Sequence, residues 1–340
     1  MFLTFFNTNS EKITVYEGTG ATQASVKTAN ALSEYNVIPS GEAIGVKLYT
    51  DGVFVVGAGN ISDMGEASPA KKAGVKAGDR IVAAEGFPVT DTESLKRLIN
   101  SGNRNVTLSI IRDGSEIKIP IEAIYSKETD SYLIGLWVRD SAAGIGTLTF
   151  YNPKNSTFAA LGHGICDYDT DALLFAQSGW VGDCRIKGAI KSKNGSPGEL
   201  LGDFSETEIG KILINAPSGL YGNAVKIPDL SPVPVASRFE VQEGSAQFLC
   251  DIDGKGAKEY DIKITKLYRG TKPDGKNFVF KVCDPVLLER TGGIVQGMSG
   301  SPILQNGKLV GAVTHVFVND SSRGYGIFAE NMLDITNTLN

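Results

Sequence analysis

Near the end of this 340-residue chain, the stretch Gly297-Met298-Ser299-Gly300-Ser301-Pro302 sets a serine between two glycines in a strand-rich region. Small residues there let backbone amides converge on one point. Acyl transfer needs that geometry, because preorganised N–H groups stabilise the negative oxygen of its tetrahedral intermediate. A serine nucleophile also needs a base, and the chain holds only 2 histidines. His163 lies between Gly162 and Gly164 at the end of an apolar run, where a loop can present its ring. An imidazole that titrates near pH ~6.5 suits general-base work. His315 sits mid-strand in GAVTHVFVN and reads as a packed residue near the same cleft.

The third member of such a constellation is a carboxylate that fixes the imidazole tautomer. Asp284, ahead of Ser299 in KVCDPVLLERTGG, is one candidate. The same Asp-Pro start and Gly292-Gly293 stop also read as a capped helix. Asp167, Asp169 and Asp171 are rivals close to His163, and spacing alone does not choose among them. Cys166 follows His163 closely and offers a thiol nucleophile, but no tight turn surrounds it. If His163 and Asp284 meet in the fold, their neighbours Cys166 and Cys283 approach closely enough to raise the question of a disulfide.

The elements around these residues are short. GIGTLTFYN, KILINA, YDIKITKLY and NFVFKV are strand signals divided by Gly, Pro, Asn and Asp, which predicts a barrel or sandwich over 127–340. Asn306-Gly307 predicts a two-residue hairpin just after the serine loop. Residues 35–126 read differently. Ser68 to Gly86 gives a short helix, glycine turns and the strand Arg80–Ala84. Thr90 and Glu93 have capping-box spacing for a helix whose apolar face is Leu95, Leu98 and Ile99, with Gly102 as its stop. Asp113-Gly114 joins two further strands. Residues 1–34 open with MFLTFF, too short for a membrane span and readable as the stub of an anchor.

A hydrophobic content of 41%, 21% charged residues and a net charge of −5 describe a chain able to bury a core, and argue against nucleic acid as a partner. None of the 4 cysteines forms a CxxC pair, so neither a structural zinc nor another cofactor is expected.

The SPAKKAGVKAGD run resembles bacterial PDZ domains, which add a peptide strand to a sheet edge beside a helix. That resemblance implies a peptide-binding role, with Ile44-Gly45-Val46 holding the peptide carboxylate and Leu95 and Leu98 facing the groove. The pattern G-x-S-G-x-P resembles the nucleophile loop of chymotrypsin-like serine proteases. It implies Ser299 as nucleophile and the amides of Gly297 and Ser299 as oxyanion donors, with Ser301 departing from that family's usual second glycine. Together, the PDZ pattern, LGHGI-x-D and TGGIVQGMSGSPI are similar to the SpoIVB (sporulation stage IV B) serine peptidase family, from about Ile38 to Leu333.

This resemblance implies a mainly β chain: an N-terminal α+β PDZ domain, then a chymotrypsin-like β-barrel protease domain with the triad His163, Asp284 and Ser299. It further implies an extracytoplasmic peptidase of endospore formation, exported between the forespore and mother-cell membranes. Its expected partners are the extracytoplasmic part of a membrane regulator, whose cleavage frees an intramembrane metalloprotease, and its own N-terminal segment. The alternative is an inactive PDZ-containing scaffold that binds peptides.

Overall fold

The computed structural model describes residues 13–17, 20–24, 35–61, 68–102, 104–193, 195–270 and 275–339. MFLTFF, and with it the anchor-stub expectation, lies outside the described residues. A hairpin of β1 (Ile13–Glu17) and β2 (Gly20–Ala24) comes first. Then follow β3 (Asn36–Pro39) and the 16-residue β4 (Ala43–Ala58). Next come α1 (Pro69–Lys72), β5 (Arg80–Ala84), β6 (Phe87–Pro88), α2 (Thr92–Asn100), β7 (Asn105–Arg112) and β8 (Ser115–Glu122). A small hairpin of β9 (Ile124–Ser126) and β10 (Ser131–Leu133) leads into the 17-residue β11 (Leu136–Asn152).

The strands β12 (Thr157–Ala160), β13 (Ala176–Ile190), β14 (Glu199–Ala216) and β15 (Gly219–Ala224) close a ring with β4 and β11. Every neighbouring pair around that ring is antiparallel: β4–β11–β12–β15–β14–β13 and back to β4. The short β16 (Val233–Pro234) pairs with β3 at its margin. A second closed barrel follows, built from β17 (Gly244–Cys250), β18 (Lys258–Leu267), β19 (Phe278–Val282), β20 (Pro302–Gln305), β21 (Lys308–Phe317) and β22 (Asp320–Phe328). Between β19 and β20 lies α3 (Pro285–Thr291), and α4 (Ala329–Thr336) ends the chain.

Each barrel has its own core. Leu48, Leu148, Phe158 and Val181 fill the first; Phe248, Ile264, Phe280 and Ile303 fill the second. Met332 and Leu333 of α4 pack with Phe150 and Tyr221 of the first barrel and Leu309 and Ile327 of the second, tying the two together. Burying such apolar faces is what drives barrels to close and to pack. Two antiparallel six-stranded barrels in sequence are the architecture of chymotrypsin-like proteases.

The third unit, with α1, α2, β5 and β7 around Val53, Ile81, Leu95, Ile99 and Leu108, is the PDZ domain. Its hairpin at Asp113-Gly114 and the barrel hairpin at Asn306-Gly307 both have two left-handed residues (φ 50° and 76°; 52° and 73°), as this turn requires. The helix cap shifts by one residue from expectation: Asp91, not Thr90, caps α2, in a reciprocal box with Ser94. Ser94 Oγ is short enough to bond the Asp91 amide itself, which Glu93 is not needed for.

Strand pairing also redraws the boundary expected at 126/127. β4 and β11 pair with one another from Ala43–Thr147 to Ala58–Leu136. One end of this ladder belongs to the first barrel and the other walls the PDZ core. The PDZ domain is therefore an insertion within the peptidase fold, with β3 flanking the first barrel and the first part of β4 inside it.

Candidate active site

The serine loop sits where the barrels meet. Thr147 of β11 donates its amide to the Ser299 carbonyl (2.9 Å) and its hydroxyl to the Gly297 carbonyl (2.8 Å). From the second barrel, Gly300 N–H donates to Val313 O (2.8 Å) and Val313 N–H to Ser301 O (2.9 Å). Gly297 and Gly300 hold φ of 96° and 98°, a region that favours glycine. A Cβ at Gly300 would lie 2.0 Å from Thr147 O, so the close approach of the two barrels needs this glycine. Met298 is fully buried in the second core, pointing its neighbour Ser299 the other way, into the cleft.

Within this loop the amides of Met298, Gly300 and Ser301 are bonded to Val295, Val313 and Met298 carbonyls. Among the described residues, the amides of Gly297 and Ser299 donate to no acceptor. Two uncommitted N–H groups flanking a serine are what a developing oxyanion needs. The Ser299 hydroxyl itself donates to the Thr314 carbonyl (2.8 Å).

The histidine loop leaves the first barrel at the end of β12. Leu161 and Gly162 are both left-handed (φ 67° and 68°), which turns the chain out of the strand and into the cleft. There His163 lines a cavity of about 660 Å³ with Ser299, Thr314, His315, Ile145 and Val295. His163 Nδ1 lies 2.9 Å from the Gly164 carbonyl. A carbonyl only accepts, so this bond places the proton on Nδ1 and leaves Nε2 as the basic nitrogen. Burial lowers the His163 pKa from its ordinary value, partly offset by that carbonyl. His315, expected only near the cleft, lines it, with its ring centroid 5.1 Å from that of His163.

Two side chains absent from the sequence reading fasten this loop. Asn215 of β14 accepts from Ile165 N–H and donates to the carbonyls of Ile165 and Leu174, each at 2.8 Å. Arg139 of β11 pairs with Asp167 (2.6 Å) and Asp169 (2.8 Å). The only sequence signal for either was a polar residue inside an apolar strand: Asn215 in KILINA and Arg139 in LWVRD.

Two expectations need correction, and the question of a disulfide closes. Asp284 does not line the cleft; its Oδ1 accepts from Leu287 N–H (2.9 Å) as the N-cap of α3, with Pro285 in the first turn and Gly292 (φ 74°) as the stop. It follows the end of β19 remote from Gly275, whose neighbourhood touches Gly162 beside His163. That strand alone spans roughly 13 Å. The helix-cap reading of the sequence is the one the fold adopts. Ile44, Gly45 and Val46 are hydrogen-bonded on both edges, to β11 and β13, and so have no edge to offer a peptide. All four cysteines are free, Cys166 and Cys283 exposed and Cys184 and Cys250 buried, so no disulfide joins the first pair. Burial and the charge of Asp171 raise the Cys166 pKa, the wrong direction for a thiolate nucleophile.

A groove of about 580 Å³ does run beside α2. Leu95 and Ile99 of the helix face Leu136, Trp137 and Val138 of β11 across it, while Leu98 packs against the PDZ core. Here β11 pairs with β4 on one edge only, and Gly135 (φ 70°) opens the strand.

A family model described as SpoIVB peptidase S55 matches residues 130–333, and one described as PDZ domain matches 61–112. A putative zinc metalloprotease, Atu1380 of Agrobacterium fabrum, is 30% identical over 104 residues, 28% of this chain and 27% of that relative's length. The chain thus spans about a quarter of the curated relative it matches. Among solved structures, the HtrA-type protease AlgW with tripeptide aligns over 58% of this chain and 56% of its own, at 11% identity and TM-score 0.36. The Rv3671c protease from M. tuberculosis, active form, aligns over 57% and 74%, at 12% identity and TM-score 0.34. The PDZ domain of the SdrC-like protein from Listeria monocytogenes aligns over 26% and 87%, at 19% identity and TM-score 0.22.

Proposed function

This chain belongs to the SpoIVB peptidase S55 family, and from that premise we propose that it is a serine endopeptidase in which Ser299 attacks the peptide carbonyl. The observation that carries the assignment is the convergence of Ser299, His163 and the two uncommitted amides of Gly297 and Ser299 on one cleft between barrels. His163 Nε2 takes the serine proton as the bond forms and returns it to the leaving amine. The Gly164 carbonyl holds the tautomer that this requires. Before attack the Ser299 hydroxyl must swing from the Thr314 carbonyl towards His163. The Gly297 and Ser299 amides then receive the oxyanion.

Family membership supports a finer reading: a peptidase of endospore formation, working outside the cytoplasm between the forespore and mother-cell membranes. Its substrate is the extracytoplasmic part of a membrane regulator of an intramembrane metalloprotease, with its own N-terminal segment as a second target. The α2 groove recruits a peptide as an added strand on the open edge of β11. Among the described residues no helix is long and apolar enough to cross a membrane.

A fluorophosphonate probe tests the chemistry directly. Wild type should be labelled and Ser299→Ala should not, and cleavage of a target fragment should fall by on the order of 10⁶ in kcat with folding retained. A wild-type chain that never labels and never cleaves would instead be a peptide-binding scaffold.

A further inference from the structure

We infer that Arg139 is a positioning residue for this chemistry: its guanidinium holds the His163 loop in register with the serine, from the strand that also walls the α2 groove. The inference rests on the serine peptidase reading above. Its starting point is Asp167, whose side chain is 0% exposed on the rim of the cleft. A buried carboxylate persists only when paired and hydrogen-bonded. Its Oδ1 accepts from Asp169 N–H (3.1 Å), Thr170 N–H (3.0 Å) and Thr170 Oγ1 (3.0 Å), all within its own turn. Its Oδ2 is left to Arg139 Nη1, while Nη2 reaches Asp169. One planar fork thus clamps two carboxylates of one turn, a geometry that a lysine ammonium does not reproduce.

The place of Arg139 on β11 gives the clamp its consequence. Val138, one residue before, lines the α2 groove. Asp140, one residue after, accepts from Thr92 N–H (2.9 Å), the first amide of α2. From Ala142 to Ile145 the same strand becomes a wall of the catalytic cleft. Without the fork, Asp167 is a stranded buried charge and its turn must open towards water. His163 lies on the same loop and takes its ring orientation from the loop's own Gly164 carbonyl, so an opened turn moves the imbalance straight to the imidazole. A misplacement of about 1 Å in a catalytic group costs roughly 10²-fold in rate.

The test compares full-length wild type, Arg139→Lys, Arg139→Ala and Arg139→Ala with Asp167→Asn, which removes the stranded charge should the single variant fold poorly. Two readouts are taken together: amide hydrogen exchange over 161–174, and the second-order rate of fluorophosphonate labelling. Arg139→Ala should exchange faster in that segment alone and label roughly 10²-fold more slowly, with free guanidinium ion restoring part of the rate. Arg139→Lys should fall between it and wild type. Unchanged exchange over 161–174 overturns the clamp, as does faster exchange with a wild-type labelling rate. Failure of wild type itself to label is the separate outcome that sinks the peptidase reading and the inference with it.

Discussion

The loop carrying Ser299 is fastened by main-chain bonds from both barrels, at Thr147 on one side and Val313 on the other. The loop carrying His163 has one main-chain tie to β11 at its base, Leu161 N–H to Thr147 O, and beyond that hangs from two side chains, Asn215 and Arg139, that belong to distant strands. Main-chain fastening survives most substitutions, since every residue but proline brings the same donor and acceptor. Side-chain fastening does not. Ser299 is therefore held by the architecture, and His163 by particular residues, so on the proposed mechanism the histidine side is where the site is most easily disturbed or regulated.

Asn215→Ala should break the weaker of the two loops with the largest effect outside Ser299 itself. It strands the Ile165 amide and the Leu174 carbonyl, while the Ile165 carbonyl keeps only its bond from Leu174 N–H. Leaving such groups unpaired should cost about 2 kcal/mol of stability. The drift of His163 that follows should slow cleavage by roughly 10²-fold. Urea melts and single-turnover cleavage measure the two separately. A wild-type cleavage rate in Asn215→Ala would mean that the loop holds itself, and the contrast with the serine loop would disappear.

The same contrast sets what was legible in the sequence. Gly297, Ser299 and Gly300 carry their geometry in their own backbone, so the tight serine loop was legible in its own six residues and the following hairpin in Asn306-Gly307, while the role of the loop came from the wider resemblance. The PDZ pattern was equally local. The fasteners of the histidine loop lie 28 and 50 residues from what they hold, and no spacing rule links them. Strand pairing was illegible for the same reason. Nothing local in Ala43–Ala58 says that Ile44–Val46 would be enclosed by β11 and β13 while Val53 and Val55 joined the PDZ core, so Ile44–Val46 were expected at a groove. The groove itself uses Leu136–Val138, assigned by sequence texture to the other domain.

A smaller effect follows from the burial that lowers the His163 pKa. In the folded chain the ring accepts its proton only below the ordinary imidazole pKa of about 6.5, whereas the unfolded chain accepts it there. The acid limb of the fluorophosphonate labelling rate should therefore have its midpoint below pH ~6.5. Between the folded and unfolded values the unfolded chain binds more protons, so stability falls as pH drops through that window and is unaffected by this group above it. Replacing His163 by Gln should remove this part of the pH dependence of unfolding. A labelling midpoint above the ordinary value would mean that a carboxylate faces the imidazole during reaction, and would place the base in a different loop conformation.

The smallest expected effect concerns Asp284, where the sequence offered two readings and the fold takes up the cap. Asp284→Ala removes the acceptor of Leu287 N–H and should lower unfolding free energy by about 1 kcal/mol. Asp284→Asn keeps an equivalent acceptor and should leave stability nearly unchanged. Since the carboxylate lies outside the cleft, cleavage per folded molecule should stay at the wild-type level in both variants. Asn is the sharper probe, because it removes the charge while sparing the helix. A loss approaching 10⁴-fold in Asp284→Asn, with folding intact, is what a carboxylate orienting the histidine would give. That result would require the start of α3 to move towards His163 in the working enzyme, making the second barrel rather than the first the source of control over the base.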